Sequence, residues 1–134
     1  MESIHLTLAF LGDVEEGALP LLRGLQVKGE GHFLPIDQAG FWQHNRIVWV
    51  GPDALPVRLK DLVTNLQAEL NANSFQLEKR PFAAHTTLIR NARAPSALPA
   101  LPEVRWPVEE CLLVESRPEG AGRSYEILAR YALA

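Results

Sequence analysis

His85-Thr86-Thr87-Leu88 decides the reading of this chain, taken together with His5-Leu6-Thr7-Leu8 near the N-terminus. Both stretches have the form His-x-Thr-x. Both lie in runs that predict β-strands, Ile4 to Leu11 and Ala84 to Arg90. Residues two apart on a strand share a face. His5 and Thr7 therefore point one way, and Ile4, Leu6, Leu8 and Phe10 the other. His85 and Thr87 pair in the same manner, with Leu88 opposite. Each motif thus offers an imidazole and a hydroxyl on one side and apolar backing on the other. One such motif is no more than a strand with a wet face. The chain has four His and four Thr, and two chance copies are expected on the order of once in two hundred such chains.

The surrounding composition narrows the class. At 134 residues the chain is read as one domain, 1–134, large enough for a real core. Its apolar and charged fractions, 47% and 22%, are those of an ordinary globular protein. No apolar run approaches the roughly 18 residues that span a bilayer, and no basic-then-apolar leader opens the sequence. The expectation is a cytoplasmic protein with no membrane partner. The single Cys111 permits no internal disulfide and reads as a small buried residue in a strand. A net charge of −3 argues against a general nucleic-acid binder, which needs a basic excess to displace counterions. Lys79, Arg80, Arg90 and Arg93 nevertheless flank the second motif, a local patch suited to one or two phosphates.

Along the chain, Asp13 and Glu16 have the spacing of a capping box, and a helix is predicted from Val14 to Gln26, with Pro20 delaying or kinking it. Strands are predicted at Phe33–Phe41 and Arg46–Val50, joined by a turn at Gln43-His44-Asn45. From Pro56 to Ala72 the residues Val57, Leu59, Leu62, Val63, Leu66 and Leu70 recur at helical spacing. Phe75 to Glu78 reads as a short strand and Ala94 to Pro102 as a loop. Val104–Ser116 and Tyr125–Leu133 read as two long strands paired through Pro118–Gly122. The order is that of an α+β fold with mostly antiparallel pairing, one motif in each half.

The doubled motif and its flanks, His-Leu-Thr-Leu-Ala-Phe-Leu-Gly (5–12) and Arg-Pro-Phe-Ala-Ala-His-Thr-Thr-Leu-Ile-Arg (80–90), resemble the 2H phosphoesterase superfamily. Within it the chain looks like the bacterial RNA 2′,3′-cyclic phosphodiesterase (2′-5′ RNA ligase-like) branch, with Trp49-Val50-Gly51 and Leu113–Arg117 extending the likeness. The resemblance implies two pseudo-symmetric lobes of antiparallel sheet with outer helices and an active-site groove between them. The family carries a further strand and helix before the first motif. This chain starts four residues ahead of it, so the first lobe is expected to be shortened, with a monomer favoured over a homodimer.

The resemblance implies hydrolysis of RNA 2′,3′-cyclic phosphate ends to 2′-phosphates, with 2′-5′ ligation as the reverse chemistry. His5 and His85 would be the catalytic pair, one neutral and one protonated, since the imidazole group can serve as acid or base near neutral pH. Family assignment makes His5 the proton donor and His85 the base; the residues alone leave the two interchangeable. Thr7 and Thr87 would donate hydrogen bonds to the non-bridging oxygens, and Arg90 a charge-assisted contact. Arg90 is out of phase with His85 and Thr87, so it reaches the site only past the strand end or across a bulge. No metal and no cofactor are expected. His32 and His44 fall in turns and read as surface residues. Phe41 and Trp42 could stack on a base or be core. The other readings are a 2H esterase for a small cyclic nucleotide or ADP-ribose cyclic phosphate, and a non-catalytic RNA-end binding module.

Overall fold

The computed structural model describes residues 5–77, 82–95, 98, 102–120 and 122–134. Its centre is a cluster of Leu34, Ile36, Leu59, Leu62 and Val63. The cluster is built by α2 (Val57–Ala72), whose Leu59, Leu62, Val63 and Leu70 are buried at the spacing read from the sequence. Val57, at its first turn, points to solvent instead. The helix ends in a Schellman arrangement: Ser74 turns left-handed at φ 68°, Phe75 N–H donates to the Leu70 carbonyl and Ser74 N–H to that of Asn71. Truncating a core leucine such as Leu62 would cost about 2–5 kcal/mol.

Among the described residues, seven strands form three antiparallel sheets. β1 (His32–Ile36) pairs with β5 (Val104–Val108). β2 (Gln38–Trp42), β3 (Ile47–Gly51) and β4 (Thr86–Ile89) make a three-stranded sheet in that order. β6 (Glu110–Glu119) and β7 (Gly122–Ala132) form a long hairpin, turned through Gly120 at φ 57°. The architecture is α+β and antiparallel, as the sequence predicts. Two predicted strands each divide between sheets. Phe33–Phe41 breaks at Asp37, whose carboxylate accepts the Asp53 N–H, and Val104–Ser116 breaks at Glu109. Each half then finds a different partner, which is how β1 and β5 close over the core.

The N-terminal half departs most from expectation. Residues 5–11 form no strand. A strand needs a ladder, and the hairpin beside them is two-stranded and excludes them. The alternation survives in part: Leu6 and Leu8 still pack on the core while His5 and Thr7 are exposed. Phe10 does not join them and is 68% exposed. The predicted Val14–Gln26 helix shrinks to a 3-10 turn (Glu16–Ala18) and a short α1 (Leu19–Arg23). Pro20 sits in the first turn of α1, where its missing N–H costs nothing, and so delays the start. No capping box forms: Glu15, not Asp13, occupies the cap, without a side-chain bond. Leu22 of α1 is buried, and its carbonyl accepts the Tyr131 hydroxyl of β7. Phe75–Leu77 are not a strand, and Glu78 lies outside the described residues. Among the described residues no helix is long and apolar enough to cross a membrane.

Candidate active site

The second motif begins one residue ahead of its ladder, with His85 just before β4. Gly51, closing β3, sets how the chain arrives there. A Cβ at Gly51 would lie 2.5 Å from the Ala84 carbonyl oxygen, so only glycine admits that backbone. The His85 ring is then held by its own neighbour: Nδ1–H donates to the Ala83 carbonyl at 2.8 Å. A carbonyl can only accept, so the neutral ring carries its proton on Nδ1 and its lone pair on Nε2.

An aromatic stack borders the same ring. Trp42 meets His85 edge-on, with centroids 4.5 Å apart at 65°. Trp42 also packs on Trp49 at 5.3 Å and lies over His44 at 6.2 Å and 30°. Trp49 in turn rests on Gly40, its ladder partner, where a Cβ would fall 2.3 Å from the indole. Gly40, Trp42, Trp49 and Thr87 share one face, because Gly40 opposes Trp49 and Trp49 opposes Thr87. Phe41 is on the other face, opposite Val48. The residue backing the motif is Thr86, not Leu88: Thr86 is 2% exposed with its hydroxyl unpartnered, and Leu88 is 49% exposed.

Leu88 is exposed for a specific reason. Val48 pairs with Ile89 and Trp49 with Thr87, so Leu88 is the extra residue of a β-bulge. The bulge shifts the phase of everything after it. Val48 and Trp49 face opposite ways, so Thr87 and Ile89 do too, and Arg90 comes past the strand end, in a bend. Arg46 fixes the turn beyond: its guanidinium donates to the carbonyls of Ala92 (3.3 Å) and Asn91 (3.2 Å), and its carbonyl accepts the Ala92 N–H. Arg90 and Arg93 are exposed. Lys79 and Arg80 lie outside the described residues.

The first motif stands against the hairpin. The His5 ring lies 5.2 Å from that of Tyr125 on β7, inclined at 56°. Tyr125 opposes Ser116 in the ladder, and Val114 opposes Ile127, so these four side chains share a face. Both motifs are rooted in one place: Leu6 and Leu8 from the first and Ala84 from the second rest on the same core cluster. Sequence reasoning gave Trp42 a candidate base-stacking role but assigned none to Tyr125 or Trp49 beyond strand and family likeness. Their place beside the two imidazoles depends on strand register, which the sequence does not carry locally.

Of the two remaining histidines, His32 differs from expectation and His44 does not. His32 opens β1 rather than a turn; its Nδ1–H donates to the Glu30 carbonyl at 2.8 Å, and its Nε2 is enclosed without a partner. His44 is exposed in its turn, stacked on Trp42. Cys111 is buried, and that burial pushes its thiol pKa up. Among the described residues no three His, Cys, Asp or Glu side chains are grouped to hold a metal ion.

The chain is similar to two curated proteins named RNA 2′,3′-cyclic phosphodiesterase. One, from Escherichia coli, is 36% identical over 98% of this chain and 77% of its own length. The other, from Geobacillus stearothermophilus, is 30% identical over 98% of this chain and 46% of its own length. Among solved structures, E. coli LigT complexed with 3′-AMP superposes with a TM-score of 0.86, at 34% identity over 99% of this chain and 78% of that one. No protein-family model matches. With one-third of its residues shared across nearly its whole length and the backbone shared as well, this chain belongs to the 2H phosphoesterases, in the bacterial RNA 2′,3′-cyclic phosphodiesterase family.

Proposed function

We propose that this chain hydrolyses the 2′,3′-cyclic phosphate at an RNA end to a 2′-phosphate, with His5 and His85 as its acid and base. The observation that carries the reading is the pair of motifs on one core, each imidazole turned outward beside an aromatic wall. The His85 tautomer supports its role as base. With Nδ1–H engaged by Ala83, Nε2 offers its lone pair to a water proton. The water oxygen attacks phosphorus, the bond to O3′ breaks in line, and protonated His5 gives its proton to the departing O3′. The product carries a 2′-phosphate and a 3′-hydroxyl, and His85 leaves the step protonated. Thr7 and Thr87 donate to the non-bridging oxygens, and Arg90, past the strand end and exposed, adds a charge-assisted contact. A 5′-hydroxyl in place of water would yield a 2′-5′ linkage by the same bond changes.

The test is turnover of an RNA oligomer ending in a 2′,3′-cyclic phosphate, in EDTA. His5→Ala and His85→Ala should each slow the chemical step by about 10²–10⁴-fold while leaving the fold intact. The rate should be bell-shaped in pH, its two limbs belonging to the coupled pair. Near wild-type turnover by either variant would sink the two-histidine assignment.

A further inference from the structure

The β6–β7 hairpin carries three arginines, and their partners differ in kind. Arg117 contacts Glu115 at 2.6 Å and Glu126 at 3.8 Å, and its guanidinium holds the Glu115 carboxyl below the usual carboxylate range. Arg130 pairs with Glu110. Arg123 instead donates from Nε to the Ser116 hydroxyl at 2.5 Å and from Nη2 to the Ser116 carbonyl at 3.4 Å, both neutral. Among the described residues, Arg123 is the arginine of this hairpin whose charge meets no carboxylate. Ser116 fixes the guanidinium and leaves its outer N–H groups to solvent. This is a costly orientation for a long side chain unless an anion arrives to use it.

Its place relative to the first motif gives the anion an identity. Arg123 precedes Tyr125 by two residues on one strand, and Ser116 lies opposite Tyr125, so all three share the face on which Tyr125 meets His5. Two residues of strand span roughly 6.4–6.8 Å. That is comparable with the step between successive phosphates of an extended ribonucleotide chain. A phosphate reacting beside His5 would therefore put the next one along the backbone near Arg123. Tyr125 between them presents a ring to the intervening nucleoside.

We propose that Arg123, braced by Ser116, binds the internucleotide phosphate on the 5′ side of the terminal nucleotide. The site is thereby tuned to an oligoribonucleotide end rather than to a free cyclic mononucleotide. The inference rests on the activity proposed above but is separable from it. Arg123 is a binding residue here and takes no proton.

The test compares three substrates on the whole chain: a 2′,3′-cyclic mononucleotide, a dinucleotide ending in the same cyclic phosphate, and that dinucleotide with a neutral methylphosphonate linkage. The wild-type enzyme should favour the charged dinucleotide in kcat/KM, and the neutral linkage should remove the advantage. Arg123→Gln should narrow the dinucleotide-to-mononucleotide ratio about tenfold, chiefly through KM, the usual worth of one charge-assisted bond. The dependence of log KM on log salt should become shallower by about one phosphate contact. Arg123→Lys should recover part of the ratio. An equal loss on both substrates, or no loss on the dinucleotide, would overturn the proposal. Titration with a dinucleotide ending in a 2′-phosphate, which requires no turnover, reads Arg123 independently: tenfold weaker binding by Arg123→Gln supports it, and unchanged binding overturns it. A wild-type chain that turns over no cyclic substrate refutes the catalytic reading, while this titration still decides Arg123.

Discussion

Thr86 and Thr87 are neighbours of the same residue type with opposite surroundings. Thr87 shares the face of Trp49 and the imidazole; Thr86 points into the core with its hydroxyl unpartnered. A buried hydroxyl without a partner costs about 1–3 kcal/mol. Thr86→Val keeps the shape and removes that cost, so the melting temperature should hold or rise and turnover should persist. Thr87→Val should leave the melting temperature nearly unchanged and slow turnover by removing a transition-state donor. A paired melting and turnover series on the two variants checks this, and the reverse pattern would reassign the faces. At this scale the candidate residues were legible as a pattern. The two histidines and Thr7 and Thr87 stand out by pattern alone. Thr86 was not legible, because a threonine beside a threonine gives no sign of which one faces inward.

The elements were read less well, for a physical reason. The long amphipathic helix was visible because its signal is local, a period of 3.6 residues carried by its own side chains. Sheets are not local. Nothing in Val104–Ser116 says that its first half pairs with β1 and its second with β7. Nothing in residues 5–11 says that an alternating run will find no ladder. The aromatic wall depends on the same non-local register, since Gly40 matters only once it is opposite Trp49. Gly40→Ala would push a methyl into that indole and displace the stack that ends on His85. The expected cost is about 1–3 kcal/mol of stability, the usual penalty of overpacking. A several-fold fall in kcat should accompany it, together with a change in tryptophan fluorescence. Unchanged fluorescence and kcat would show that the stack does not hold the imidazole.

At the scale of the molecule, Cys111 is buried on the hairpin, and its ladder partner Tyr131 is tied to Leu22 of α1. Burial raises both pKa values above their ordinary ranges. For a thiol the folded state then holds a proton that the unfolded chain releases. Its contribution to stability is full below the unfolded pKa and is lost as pH rises through the folded one. Melting temperatures should therefore decline as pH climbs past about 8.5, the ordinary thiol value. Cys111→Ala should decline less steeply, with Tyr131 accounting for the remainder. Parallel slopes for the two proteins would show that the thiol is not the titrating group.

The common rooting of the two motifs also constrains motion. An enzyme that closes on its substrate needs a seam along which one body swings against another. Here Leu6 and Leu8 on one side and Ala84 on the other grip the same five buried residues, and a swing that separated the imidazoles would have to open that cluster to water. The spacing of the two imidazoles is therefore settled when the chain folds. What remains mobile on the timescale of a reaction cycle is side chains and turns, at picoseconds to microseconds. Such a site behaves as a fixed gauge: an RNA end either matches the gap or does not.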